Sequence, residues 1–180
     1  FMTLPAKLDP YHIRGLTLTQ LTPVHKQRMM DLQSQVMAQL PDPTWYFPSE
    51  EWEFDQWLAN GEAVGYLDGD VLCSYAVMTP QNVRGEHSYA RILGHPAENT
   101  FDFHDVLVSP AYRRRGMHAH FLALFTEMAR AMDGRAIYTT VDPQNGASWR
   151  NFERAGYRCV ATQPAYDGRL RRYYQKELER

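Results

Sequence analysis

Residues 101–132 constrain the fold more than any other stretch. "FDFHDVLV" (101–108) is rich in β-prone residues and stops at Ser109-Pro110. After "AYRRRG", residues 116–132 place Met117, Phe121, Leu124, Phe125, Met128 and Met132 at helical spacing. A strand thus runs through a turn carrying three arginines and a glycine into an amphipathic helix. The first amides of a helix have no intrahelical acceptor and lie at the positive end of its dipole. Gly116 lets a ligand approach the backbone because it has no Cβ, and the arginines add fork-shaped cationic donors. The chemistry that fits is a phosphate-bearing anion. A merely solvated basic loop is the alternative reading.

The remaining elements follow from local signals. "GLTLTQL" (15–21) alternates as a strand, and 23–39 reads as a helix opened by Pro23. "PDPTWYFP" (41–48) is an extended loop, and "SEEWEFDQWLAN" is a helix with Ser49 as the expected N-cap. Two β-prone runs flank Asp68-Gly69 as a hairpin. Residues 80–100 read as a polar loop. A strand at 135–141 follows Gly134 as the expected helix stop, and "NGASWRNFERA" is a short helix ended by Gly156. "YRCVAT" and "RLRRYYQKEL" form two last strands around Asp167-Gly168. The order β-α-α-β-β-β-α-β-α-β-β predicts an α/β (α+β) domain with a mixed sheet flanked by helices.

The chain's 180 residues suit one domain, expected over 2–180, with Phe1 ahead of Met2 read as an expression remnant. A formal net charge of -2 argues against bulk attraction to nucleic acid or an anionic membrane. No apolar run approaches a membrane span and no leader is visible. Cys73 and Cys159 form no C-x-x-C pair and are expected as two buried thiols, which suits a cytoplasmic location and gives zinc no support. No metal is expected. A homodimer is left open.

Arg113-Arg114-Arg115-Gly116-Met117-His118, followed by Ala119, resembles the R/Q-x-x-G-x-G/A motif of the GNAT (GCN5-related N-acetyltransferase) superfamily. "DPQNGASWRNFERAGY" is similar to that family's second block, with Asn145, Ser148, Phe152, Glu153, Gly156 and Tyr157 in register. The close resemblance covers about residues 101–177. It implies a mostly antiparallel sheet of about seven strands and acetyl-CoA as cosubstrate. It assigns the pantetheine arm to the backbone of Val106, Leu107 and Val108, the diphosphate to residues 113–119, and further cofactor contacts to Asn145, Ser148 and Phe152. The implied reaction is acetyl transfer to a primary amine of a small molecule or peptide. The alternative is a non-catalytic acyl-CoA-binding or sensor domain.

Two positions depart from the family pattern. His118 replaces a small residue, and Phe152 stands where a proton-donating tyrosine is often found. An amine is mostly protonated at neutral pH, so a proton acceptor is needed. Asp102 matches the position of the basic glutamate in histone-type members. His104 shares its strand face by period two, and Asp105 points the other way unless a bulge re-aims it. All three remain candidate bases. Tyr157, Tyr173 and Tyr174 are available as acids, or else as strand packing. Trp45, Tyr46, Phe47 and Trp52 beside Glu50, Glu51 and Glu53 read either as an aromatic, acidic wall for a cationic amine or as core and an acidic helix start.

Overall fold

A computed structural model describes residues 2–81, 88–165 and 168–179. The predicted element order is found, with one addition. Strand β1 (Thr17–Gln20) leads through a 3₁₀ turn to α1 (Lys26–Met37), then to α2 (Glu51–Ala59). The hairpin β2 (Ala63–Asp68) and β3 (Val71–Pro80) follows, then the four-residue helix α3 (Tyr89–Ile92). Next come β4 (Thr100–Val108), α4 (Met117–Ala131), β5 (Ala136–Val141), α5 (Gly146–Arg154), β6 (Arg158–Pro164) and β7 (Leu170–Glu177).

The seven strands form one mixed, mostly antiparallel open sheet in the order β1-β2-β3-β4-β5-β7-β6. Its parallel step is β4 to β5, which needs a crossover, and α4 supplies it. The β4–β5 register covers only Thr100–Asp102 against Ala136–Tyr138, so the later residues of β4 lie outside that ladder. The last two strands form a hairpin in which β7 pairs with β5 and β6 takes the edge.

The chain divides into two compact units, Phe1–Val77 with Asp105–Leu124, and Met78–His104 with Phe125–Arg180. In the first, Met29, Leu32 and Val36 of α1 and Phe54, Trp57 and Leu58 of α2 pack with Leu72, Tyr75, Val77 and Leu107. These recur at i, i+3 and i+4 along their helices, and each large side chain buried is worth ~1.5–3 kcal/mol. In the second unit, Phe103 meets Phe125 and Phe152 edge-on, and Tyr89, Tyr138 and Tyr173 form another cluster.

Several local expectations need correction. Glu50, not Ser49, is the N-cap of α2, because the Ser49 hydroxyl is engaged elsewhere, by Asp105. Helix α4 ends ahead of Asp133, which takes the left-handed conformation (φ 55°) expected of Gly134. Gly134 is required for space instead: a Cβ there would lie 2.6 Å from the Phe101 ring. The segment read as a loop holds α3, started by Ser88, whose side chain accepts from the Arg91 amide at 3.0 Å. Only Cys73 is buried; Cys159 is exposed on the edge strand β6. Residues 82–87 and Asp167 of the expected last turn lie outside the described residues. No helix among the described residues is long and apolar enough to cross a membrane, and no group of His, Cys, Asp or Glu among them is placed to hold a metal ion.

Candidate functional site

The turn after β4 is fixed from both ends. The Ser109 amide donates to the Cys73 carbonyl of β3 at 2.8 Å, and Tyr112 closes a 3₁₀ turn on Ser109 at 2.9 Å. Arg113 is extended (φ -63°, ψ 160°), Arg114 is left-handed (φ 65°), and Gly116 is left-handed (φ 80°). A left-handed non-glycine costs ~1–2 kcal/mol, so the packing around this turn enforces it. The first helical bond from this end runs from the His120 amide to the Gly116 carbonyl at 3.0 Å. The amides of residues 113–116 donate no hydrogen bond to any described residue. A Cβ added at Gly116 would meet only His120 Nε2, at 4.0 Å, so the backbone there is approachable. The three arginines are exposed. Amides without partners among the described residues, exposed arginines and a helix start thus lie together in one short turn, the chemistry an anion site uses.

The side chains of the motif divide between this cradle and the interior. Met117 is buried, and its sulfur accepts from the Ser74 hydroxyl at 2.9 Å. Ala119 is exposed. His118 is partly exposed as a residue, yet its Nε2 is fully buried, and burial pushes its pKa down to about 4. The larger residue at the family's small position therefore brings a neutral imidazole, not another positive charge. On β4, Leu107 belongs to the core, while Val106 and Val108 are half-buried.

Tyr89, which sequence patterns do not single out, brings two of the proposed bases together. Its amide lies 3.3 and 3.4 Å from the two Asp102 carboxylate oxygens, and its ring lies 5.9 Å from that of His104 and 6.1 Å from that of Tyr173. The available signal is Ser88, an N-cap residue three positions before Arg91. Asp102 is buried, and desolvation holds its pKa well above the usual carboxylate range despite the Tyr89 and Gln81 hydrogen bonds. His104 Nε2 lies 2.7 Å from the Thr79 hydroxyl, and its residue is exposed.

Asp105 faces other partners. The Tyr46 hydroxyl lies 2.7 Å from its Oδ1, and Ser49 Oγ donates to Oδ2 at 3.2 Å. Gln33 of α1 grips Ser49 twice, accepting from its amide at 2.9 Å and donating to its carbonyl at 3.1 Å. Burial pushes the Asp105 carboxyl up to about 7, against the downward pull of Tyr46 and Ser49. The aromatic segment is therefore split: Tyr46 packs against the core, while Phe47 and Trp52 are about half exposed.

In the second block, Asn145 precedes α5, and its carbonyl accepts from the Ser148 and Trp149 amides at 3.1 Å each. Ser148 is half-buried. Phe152 is buried between Phe103 and Tyr157, with ring centroids 5.4 and 5.1 Å away. The Tyr157 hydroxyl is buried with no hydrogen-bond partner among the described residues, and burial drives its pKa far upward. Tyr173 is buried beside Tyr89. Tyr174 reaches Glu153 at 3.3 Å.

Comparison with known proteins agrees with this architecture. The family model described as "Acetyltransferase (GNAT) family" matches residues 27–157. An uncharacterized protein of Mycobacterium leprae (strain TN) is 28% identical over 153 residues, covering 84% of this chain; the chain spans 37% of that relative's length. Among solved structures, the Salmonella typhimurium protein yncA, determined with its cofactor acetyl-CoA, matches with a TM-score of 0.67 at 16% identity, over 92% of this chain and 95% of its own. The ribosomal-protein-S18-alanine N-acetyltransferase of Escherichia coli gives 0.68 at 13%, with the same coverage. A GNAT-family acetyltransferase from Streptococcus agalactiae gives 0.67 at 20%, over 94% and 99%. At these identities the solved structures speak for the fold, while the family match spans most of the sequence: this chain belongs to the GNAT acetyltransferase family.

Proposed function

We propose that this protein moves an acetyl group from acetyl-CoA to a primary amine. The observation that carries the reading is the cradle at the head of α4: amides of 113–116 without partners among the described residues, an approachable Gly116, and exposed arginines. It fits a diphosphate in charge and in access. The backbone of β4 beyond the β5 ladder is suited to an extended pantetheine arm. Asn145 and Ser148 are the further contacts, and Phe152 serves the core that supports them.

In the reaction, the amine nitrogen attacks the thioester carbon, the carbon–sulfur bond breaks, coenzyme A leaves as a thiolate, and the amine gives up a proton. Placement of the two reactants contributes most of the rate. The proton acceptor is sought in the pair that meets at Tyr89, with Asp102 as first choice and His104 as second. Asp105 is assigned to holding Tyr46 and Ser49. Two cysteines outside any disulfide suit a cytoplasmic setting. Thiol release assayed across a panel of amines, with acetyl-CoA as donor, tests the proposal. Amine-dependent release supports it, and none with any amine counts against it.

A second reading, an acyl-CoA-binding domain without turnover, draws on Phe152, which has no proton to give and lies in the core. Tight coenzyme A binding without thiol release would favour it.

A further inference from the structure

We propose that Asp68 and Tyr112 are positioning residues that hold Arg115 at the anion cradle. The inference rests on the functional reading above, because it takes the cradle to be a diphosphate site. The Tyr112 hydroxyl donates to Asp68 Oδ2 at 2.7 Å, so the β2–β3 hairpin anchors the phenol. The Arg115 guanidinium carbon lies 5.1 Å from the centre of the Tyr112 ring, within cation–π range. The left-handed Arg114 between them reverses the chain and brings Arg115 back over a residue three positions earlier. The three arginines are therefore not equivalent. Arg115 has its guanidinium on an aromatic face; no such ring contact is seen for Arg113 or Arg114 among the described residues. A long cation loses rotamer freedom when it binds a phosphate, and part of that loss is already incurred by the stack. The planar group keeps its edge donors available while its face is covered.

A merely structural role for Tyr112 would lower stability and weaken every ligand alike. Positioning predicts an effect confined to the diphosphate and shared with Arg115. The test measures dissociation constants of coenzyme A, of pantetheine, which lacks the diphosphate, and of inorganic pyrophosphate. The proteins are wild type, Tyr112→Leu, Tyr112→Phe, Arg115→Gln and the Leu/Gln double variant. Tyr112→Leu and Arg115→Gln should each weaken coenzyme A and pyrophosphate by about three- to tenfold and leave pantetheine unchanged. The double variant should be no weaker than Arg115→Gln alone, as coupling through one contact requires. Tyr112→Phe keeps the ring face but loses the Asp68 hydrogen bond, so it should recover only part of the affinity lost in the leucine variant; full recovery would remove Asp68 from the inference. Additive losses in the double variant, or equal losses for all three ligands, overturn the inference. If wild type binds pyrophosphate with this coupling but not coenzyme A, the positioning stands and the acetyl-CoA reading fails. If wild type binds neither, both fail.

Discussion

Replacing Asp105 by asparagine isolates the contribution of a buried carboxyl to stability. Asp105 is 5% exposed and, among the described residues, faces hydroxyls and no cation. The Tyr46 hydroxyl lies 2.7 Å from Asp105 Oδ1 and 3.0 Å from Gln33 Oε1, and it has one proton for two acceptors. When Asp105 is protonated, its own O–H can donate to Tyr46, which then donates to Gln33, and all three groups are satisfied. When it is ionised, the one Tyr46 proton serves only one of these two contacts, and Gln33 Oε1 is left with the Ser49 amide alone. This network explains in geometric terms why a carboxyl raised from 3.8 to about 7 is tolerated.

The sign of the pH dependence follows from that shift. Between about pH 4 and 7 the folded state holds a proton that the unfolded state has released, so stability falls as pH rises through this window and is level above it. The ceiling is about three pH units at 1.36 kcal/mol each, or ~4 kcal/mol. The asparagine side chain cannot ionise; its amide can donate to Ser49 while its oxygen accepts from Tyr46. Urea unfolding of both proteins at about pH 5 and about pH 8 gives the difference directly. Comparing the two proteins at each pH cancels the opposite slope of His118, whose lowered pKa costs stability as pH falls through about 6.5 toward 4. The wild type should lose up to ~2.7 kcal/mol relative to the variant between these two pH values, because about two of the three pH units lie inside the interval. An unchanged difference would show that Asp105 is ionised in the fold throughout and that no proton is shared among Asp105, Tyr46 and Gln33 in this way.

Other substitutions probe separate parts of the account. Tyr157→Phe removes a buried hydroxyl without a partner among the described residues, so stability should hold or rise by up to ~1–2 kcal/mol with turnover unchanged; a large fall in kcat would instead identify Tyr157 as a proton donor. Arg171→Leu strands Asp142, which Arg171 contacts at 2.8 Å in a buried pair, and should cost ~3–5 kcal/mol in chemical denaturation; a loss under about 1 kcal/mol would contradict burial of that pair. Asp102→Asn should remove the acidic-limb ionisation from the pH–rate profile and His104→Gln should leave it in place; the reverse outcome makes His104 the base.

Much of the cradle is legible in the sequence because it depends on local chemistry. A strand, Ser-Pro, three arginines, a glycine and an apolar helical stripe leave few other foldings, and Gly116, expected there for its missing Cβ, has open space where a Cβ would stand. What escapes a sequence reading depends on side chains distant along the chain. Ser49 is a good N-cap by type, yet its hydroxyl goes to Asp105, 56 residues away, and Glu50 takes its place. A period of two groups Asp102 with His104 but gives no view of Tyr89, the residue both meet, because α3 is too short to carry a periodic signal. The pairing of β7 rather than β6 with β5 is likewise a matter of which strand reaches the inner position, which turn residues do not encode.

Calorimetric titration of coenzyme A into the wild type and into Gly116→Glu tests the central claim most directly. A side chain at φ 80° is strained, and a carboxylate at the head of α4 would repel a diphosphate. Binding to the wild type that disappears in a still-folded Gly116→Glu is the predicted result. Equal affinity in the two proteins would place the cofactor elsewhere and contradict the account.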